Sequence, residues 1–186
     1  MKSSTQDKLV FAGIIAGVLL VTFLFKLQMF VSTQPVLTIT SSGFVDGGEI
    51  SKTYTCDGQG QSPALTISGV PTSAQTLVLA MQDLDIPRTE FVHWIVYGIA
   101  PNGVFSDNAL PVGSEQGLNA KNERSYIPVC PPEGKTHHYQ LSVYAVNKGL
   151  HFVTPPNLQQ LKTAIRGSVV AKGVVTARYT RKTVAQ

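Results

Sequence analysis

Hydrophobic positions along the chain fall into two regimes. From residue 9 to residue 25 no charge interrupts LVFAGIIAGVLLVTFLF, and Leu27, Met29, Phe30 and Val31 extend the apolar run past Lys26. A spanning helix needs about 20 mostly apolar residues, with a lower limit near 17, and a lysine close to its end can reach the headgroups. The run therefore predicts one transmembrane helix over residues 9–31, behind a polar tail of residues 1–8. It is longer than the roughly 7–15 residues of a secretory hydrophobic region, and no A-x-A-like site follows it. An uncleaved anchor is thus favoured over secretion after signal cleavage. Lys2 and Lys8 ahead of the run, against Lys26 behind it, bias the N-terminus to the cytoplasm and the rest of the chain to the extracytoplasmic side. Gly13 and Gly17 have GxxxG spacing but read as ordinary glycines of a span.

After a linker at residues 32–35 the pattern changes to short β-rich runs separated by Gly, Pro, Asn and Asp. Strands are expected over residues 36–41, 51–55, 64–68, 76–82, 91–99, 138–147 and 168–179. One helix is expected as well. Leu158, Leu161, Ala164 and Ile165 share a face, Asn157 and Gln160 have capping-box spacing, and Gly167 is suited to ending the helix. Without any βαβ alternation, residues 36–186 read as one mainly β domain, an antiparallel sandwich or barrel with a short helix. Residues 102–132 hold Gly, Pro, Asn and Ser without a sustained period, and long ordered loops of this kind often wall a binding site.

Composition sharpens this picture. The 186 residues are 43% hydrophobic and only 14% charged, which excludes a disordered polyelectrolyte and leaves room for one domain with an appendage. Mean hydropathy is +0.10, raised in part by the apolar run. A net charge of +4 is too small to argue for nucleic acid, but it conceals a polarity. Residues 32–133 carry 4 basic and 10 acidic groups, whereas residues 134–186 carry 8 basic groups and no acidic one. Pairing between the two halves is the expected use of the basic tail, ahead of contact with anionic headgroups.

Candidate chemistry lies in three places: Asp83 and Asp85 in MQDLDIPR, His93 in FVHWIVYG, and His137 with His138 in GKTHHYQL. Strand alternation would place His93 on one face with Phe91, Ile95 and Tyr97, and Val92, Trp94 and Val96 on the other. A lone strand histidine is more often a satisfied core residue than a functional one. Asp83 and Asp85, two apart, share a face if the strand continues, and otherwise cap the turn at Pro87. Carboxylates near histidines can orient imidazoles, bind metal or exchange protons. The adjacent His137 and His138 point opposite ways on a strand, so at most one joins Asp83 and His93. Ahead of them, Val129-Cys130-Pro131-Pro132-Glu133-Gly134 is a stiff loop.

The blocks FVDGGEISKTYTCDGQGQSPALTISGVP, MQDLDIPRTEFVHWIVYGIAP, YIPVCPPEGKTHHYQLSVYAV and VVTARYTR together resemble the phosphatidylethanolamine-binding protein family, in its prokaryotic Raf-kinase-inhibitor-like branch. The resemblance implies a β-sandwich with one small pocket for anionic groups such as phosphate, phosphoryl headgroups or acetate. Carried over by position, Asp83, His93 and His137 line that pocket, Asp85 supports the same block, Tyr139 stands at the tyrosine of the family's His-Arg-Tyr, and Pro128, Cys130 and Pro131 belong to one wall. The anion would be held by imidazole N–H groups and backbone donors, with Asp83 fixing a histidine tautomer or sharing a proton with the ligand. Leu84 and Ile86 depart from the family's Asp-Pro-Asp-Ala-Pro, His138 replaces its arginine, and Ile127 and Pro128 stand where glycines are usual. Cys56 and Cys130 both fall in pocket-bordering blocks, and either form a disulfide in an oxidising compartment or remain free thiols.

The expectation is a membrane-tethered binding module for an anionic small molecule or phosphorylated headgroup, needing no cofactor, with a protein partner as a further possibility and no role for nucleic acid. The alternative is a metal-dependent hydrolase in which Asp83, His93 and His137 hold a divalent ion that activates water. No HExxH, clustered Cys/His or nucleophile-elbow pattern accompanies those residues. A purely structural envelope protein is the third reading.

Overall fold

The computed structural model describes residues 35–102 and 104–183. The anchor expected over residues 9–31 lies outside them, and among the described residues no helix is long and apolar enough to cross a membrane.

Two antiparallel sheets form the domain. Strands β1 (Thr38–Ser41), β2 (Leu65–Ser68) and β5 (Val104–Phe105) make the small sheet, in the order β1-β2-β5. The large sheet has the order β6-β4-β3-β7-β8, with β3 (Thr76–Asp83), β4 (Phe91–Ile99), β6 (Glu115–Gln116), β7 (Thr136–Val146) and β8 (Val169–Thr180). Leu37, Ile39, Leu65, Ile67 and Phe105 meet Leu77, Leu79, Met81, Trp94, Leu141 and Val143 in the core between the sheets. The opposite face of the large sheet is covered by α1 (Leu158–Ile165), whose Leu158, Leu161 and Ile165 pack on Val78, Ala80, Val92, Ile95 and Tyr97. Being covered on both sides explains why β3 is almost continuously apolar rather than alternating.

The structure departs from the sequence-based expectations in local ways. Residues 51–55 are not a strand; Lys52–Tyr54 form a 3-10 turn, and Thr55 makes only an isolated bridge to Val129. The segment over residues 102–132 contains two short strands, β5 and β6, that its irregular pattern did not announce. β7 starts at Thr136, two residues before the expected boundary, and so includes His137. The helix matches its expected caps: Asn157 accepts from the Gln160 N–H, while the Gln160 side chain accepts from the Asn157 N–H.

The regular alternation expected in β4 is also broken. Its register against β3 slips between Met81↔Trp94 and Gln82↔Val92, leaving His93 as the extra residue of a bulge. Val92 consequently packs with Ile95 and Tyr97 on the helix side, while the His93 ring meets Phe91 and Tyr139 with centroids 5.0 and 5.2 Å away. His93 therefore does not share a face with Ile95 and Tyr97. A second slip follows Val96, where Gly98 takes φ +71°, a conformation that a residue with a Cβ adopts only under strain.

Candidate functional site

The end of the large sheet where β3 finishes and β4 and β7 begin holds a cavity of about 550 Å³. Its walls are Asp83, Asp85, Ile86, Pro87, Phe91, His93, Lys121, Ile127, Pro128, Cys130, Pro132 and His137. Antiparallel pairing puts Asp83 opposite Phe91 on one side and Tyr139 on the other, so three strands deliver side chains to one place.

Asp83 is 6% exposed, and both of its oxygens are engaged. Oδ1 accepts from the Asp85 N–H at 2.8 Å, capping the turn after β3, and Oδ2 accepts from His137 Nδ1 at 2.7 Å. Capping and imidazole orientation, which the sequence left as alternatives, are both present in one side chain. The neighbouring residues form a second, more exposed pair: the Asp85 carboxylate accepts from the His138 backbone N–H and from His138 Nδ1 at 2.9 Å. The first of these bonds, followed by the second, holds the Asp85 carboxyl below the usual aspartate range. Of the two histidines, His137 faces the cavity with 15% of its side chain exposed, and His138 is 52% exposed.

His93 is 3% exposed. Its Nδ1 lies 2.8 Å from the Ile127 carbonyl oxygen. A carbonyl can only accept, so Nδ1 carries a proton, which leaves Nε2 as the ring's other polar atom. That nitrogen is buried without a hydrogen-bond partner. Burial lowers the imidazole's pKa, against the opposing pull of the Ile127 bond and the Asp83 charge. The Tyr139 hydroxyl is also buried without a partner, and burial, followed by the Asp83 charge, pushes its phenol far above the ordinary tyrosine value.

The loop side of the cavity is tightly held. Ile127 donates its N–H to the His93 carbonyl at 2.9 Å, Val129 donates to Tyr54 and Cys56 donates to Val129. Cys56 and Cys130 are joined by a disulfide with Cα atoms 5.3 Å apart, which ties the 3-10 turn region to the wall. Of the expected site residues, Asp83, Asp85, His93, Pro128, Cys130 and His137 line the cavity. Pro131 and Tyr139 do not: both are buried, and Tyr139 stands against the rings of His93 and His137.

Three residues of this wall, Pro87, Pro128 and Pro132, have no N–H to offer a ligand. Positive charge comes instead from Lys121, which the sequence reading missed. Buried Asn119 organises its loop by accepting from the Lys121 and Glu123 N–H groups at 2.8 and 3.0 Å and donating to Ser125. Asn and Ser clustering in residues 102–132 signalled the turn, but nothing local showed that it faces His93. Asp83 directs its oxygens to His137 Nδ1 and the Asp85 N–H, and among the described residues no three His, Cys, Asp or Glu side chains are grouped to hold an ion.

Comparison with known proteins agrees with this architecture. Residues 40–180 match the family model described as phosphatidylethanolamine-binding protein. A UPF0098 protein of Chlamydia trachomatis is 34% identical over 148 residues, covering 77% of this chain and 98% of the relative. A UPF0098 protein of Mycobacterium tuberculosis is 38% identical over 142 residues, covering 75% of this chain and 66% of the relative. The crystal structure of a phosphatidylethanolamine-binding protein homolog from Chlamydia trachomatis has a TM-score of 0.74 at 33% identity, over 80% of this chain and 99% of that one. E. coli YbcL, described as a member of the mammalian family, has a TM-score of 0.72 at 26% identity, over 78% of this chain and 99% of its own. The chain belongs to the phosphatidylethanolamine-binding protein family.

Proposed function

We propose that this chain is a membrane-tethered binding protein whose cavity receives a small anionic group, such as phosphate, a phosphoryl headgroup or a carboxylate. The observation that carries the reading is the convergence on one cavity of the Lys121 ammonium, the His137 ring oriented by Asp83, and the buried His93 ring. In this reading the role is recognition, with Asp83 orienting the His137 ring toward the bound group. The uncharged run at residues 9–25 supports a single-pass anchor that holds the binding domain at the extracytoplasmic face. A protein partner presented with the ligand fits the same role.

The test is titration of the full chain in detergent with inorganic phosphate, following the imidazole resonances. Saturable shifts of His93 and His137 are expected, and unchanged signals for both overturn the reading. Lys121→Met should weaken phosphate binding by roughly 3–10-fold, as expected for loss of one partly exposed charge-assisted contact.

A further inference from the structure

The Cys56–Cys130 bond joins two segments that other contacts already hold together. Cys56 donates its N–H to the Val129 carbonyl at 3.0 Å, Val129 donates to the Tyr54 carbonyl at 3.3 Å, and the Tyr126 hydroxyl donates to the same Tyr54 carbonyl at 2.9 Å. Arg181 adds a clamp from the end of β8: its Nε lies 3.2 Å from Asp57 Oδ1 and its Nη2 3.8 Å from Glu133 Oε1, so one guanidinium reaches the neighbour of Cys56 and the loop just beyond Cys130. None of these contacts passes through the sulfurs. A cross-link stabilises chiefly by restricting the unfolded chain, so the folded wall keeps its geometry without it. Both cysteines are exposed, although Thr55, Val129 and Pro131 beside them are buried, and Cys130 lines the cavity at the end of the large sheet. Exchange starts when a thiolate reaches a disulfide sulfur, and exposed bonds are the labile ones. We propose that Cys56–Cys130 is a thiol-exchange site that opens and recloses within the folded domain, with Cys130 as the sulfur attacked by a small thiol entering the cavity.

In the first step the thiolate sulfur bonds to Cys130 Sγ as the bond to Cys56 breaks, and the bonding pair leaves on Cys56 Sγ. Two outcomes follow. Cys56 can return to Cys130 Sγ and expel the thiol, which restores the original bond with no net oxidation. Alternatively a second thiol attacks the outer sulfur of the adduct, which releases the thiol's own disulfide and leaves two cysteine thiols, the two electrons coming from the two thiol molecules. The backbone bonds and the Arg181 clamp hold the Cys56 and Cys130 segments together in either case, and a held pair recloses faster than two free groups meet. An adduct on Cys130 stands on the cavity wall, so exchange at this bond bears on access to the cavity. The chemistry is independent of the anion that the cavity receives.

The test mixes the oxidised full chain in detergent with glutathione at constant pH, followed by acid quenching, alkylation and mass measurement. Cys56 and Cys130 are the chain's two cysteines, so the alkylated thiols report this bond alone. The opening rate should rise in proportion to glutathione, stay flat in urea below the unfolding transition, and lie within about tenfold of the rate for a disulfide in a short linear peptide. Adduct trapped early should map to Cys130. In the fully reduced chain the Ile127 and Val129 amides should remain protected from hydrogen exchange, and transfer to glutathione disulfide should restore the bond. An opening rate that climbs with urea below the transition would show that the sulfurs are reached only through unfolding, and overturns the proposal. Early adduct predominantly on Cys56 overturns entry through the cavity. Loss of amide protection at Ile127 and Val129 on reduction overturns it as well, because the wall would then depend on the bond.

Discussion

Placing His93 between Phe91 and Tyr139 makes its protonation costly, and that cost links the site to folding. Its folded pKa lies below the ordinary histidine value of about 6.5, so above that pH the folded and unfolded chains are both neutral at this residue. As pH falls through about 6.5, the unfolded chain takes up a proton that the folded chain refuses, and stability drops until the folded pKa is reached. Thermal unfolding of the full chain should therefore show a lower Tm at pH 5.5 than at pH 7.5. In His93→Phe this difference should shrink, on top of a constant loss from the unpaired Ile127 carbonyl. An unchanged difference would place the titrating group elsewhere. Asp85 acts at lower pH, since its depressed pKa gives stability that is present above about 4 and is lost as pH falls further.

Elements that announce themselves in the sequence are those whose ends and faces are both specified locally. α1 is one: Asn157 and Gln160 cap it, and its Leu158, Leu161 and Ile165 stripe is the face that covers β3 and β4. Asn157→Ala removes the side-chain acceptor for the Gln160 N–H and should cost about 1 kcal/mol. Leu161→Ala, at a fully buried position, should cost about 2–5 kcal/mol. Denaturant unfolding of the two variants separates these effects, and equal losses would contradict the packing described here. β4 was legible in its boundaries and not in its phase. A bulge adds one residue without changing composition, so no periodicity of Phe91–Ile99 alone reveals that Val92, rather than His93, faces the helix. Residues 51–55 carry β-favouring Thr and Tyr, but the 3-10 turn wins because Thr55 returns its N–H and hydroxyl to the Lys52 carbonyl.

At the scale of the molecule, the acidic first half and basic second half of the domain meet in space. Lys162–Glu90 at 2.6 Å, Arg178–Glu49 at 3.3 Å and Arg181–Asp57 at 3.2 Å join groups far apart in the chain. The first two pairs are exposed and contribute little stability each, whereas Arg181–Asp57 is partly buried. The Cys56–Cys130 disulfide is a stronger constraint because it spans 74 positions. Breaking it in a Cys56→Ser, Cys130→Ser double variant should lower the unfolding free energy by about 2–4 kcal/mol, and a reductant should have the same effect on the unmodified chain. Thermal melts with and without dithiothreitol check this; a reductant-independent Tm would rule the bond out as a source of stability.

The family, the mainly β class, most strand positions, the helix with its caps, and the Asp83, His93 and His137 candidates were all legible in the sequence. Each depends on short-range patterns or on motifs whose spacing is fixed in the chain. Only the tertiary structure decided that Asp83 holds His137 while Asp85 holds His138, that Tyr139 stands behind the cavity and not on it, and that Lys121 completes the wall. Those outcomes depend on strand register, a bulge at His93 and a loop folded around Asn119, which bring together residues separated by tens of positions. Contacts of that kind are set by packing and pairing between strands, and no local pattern encodes them.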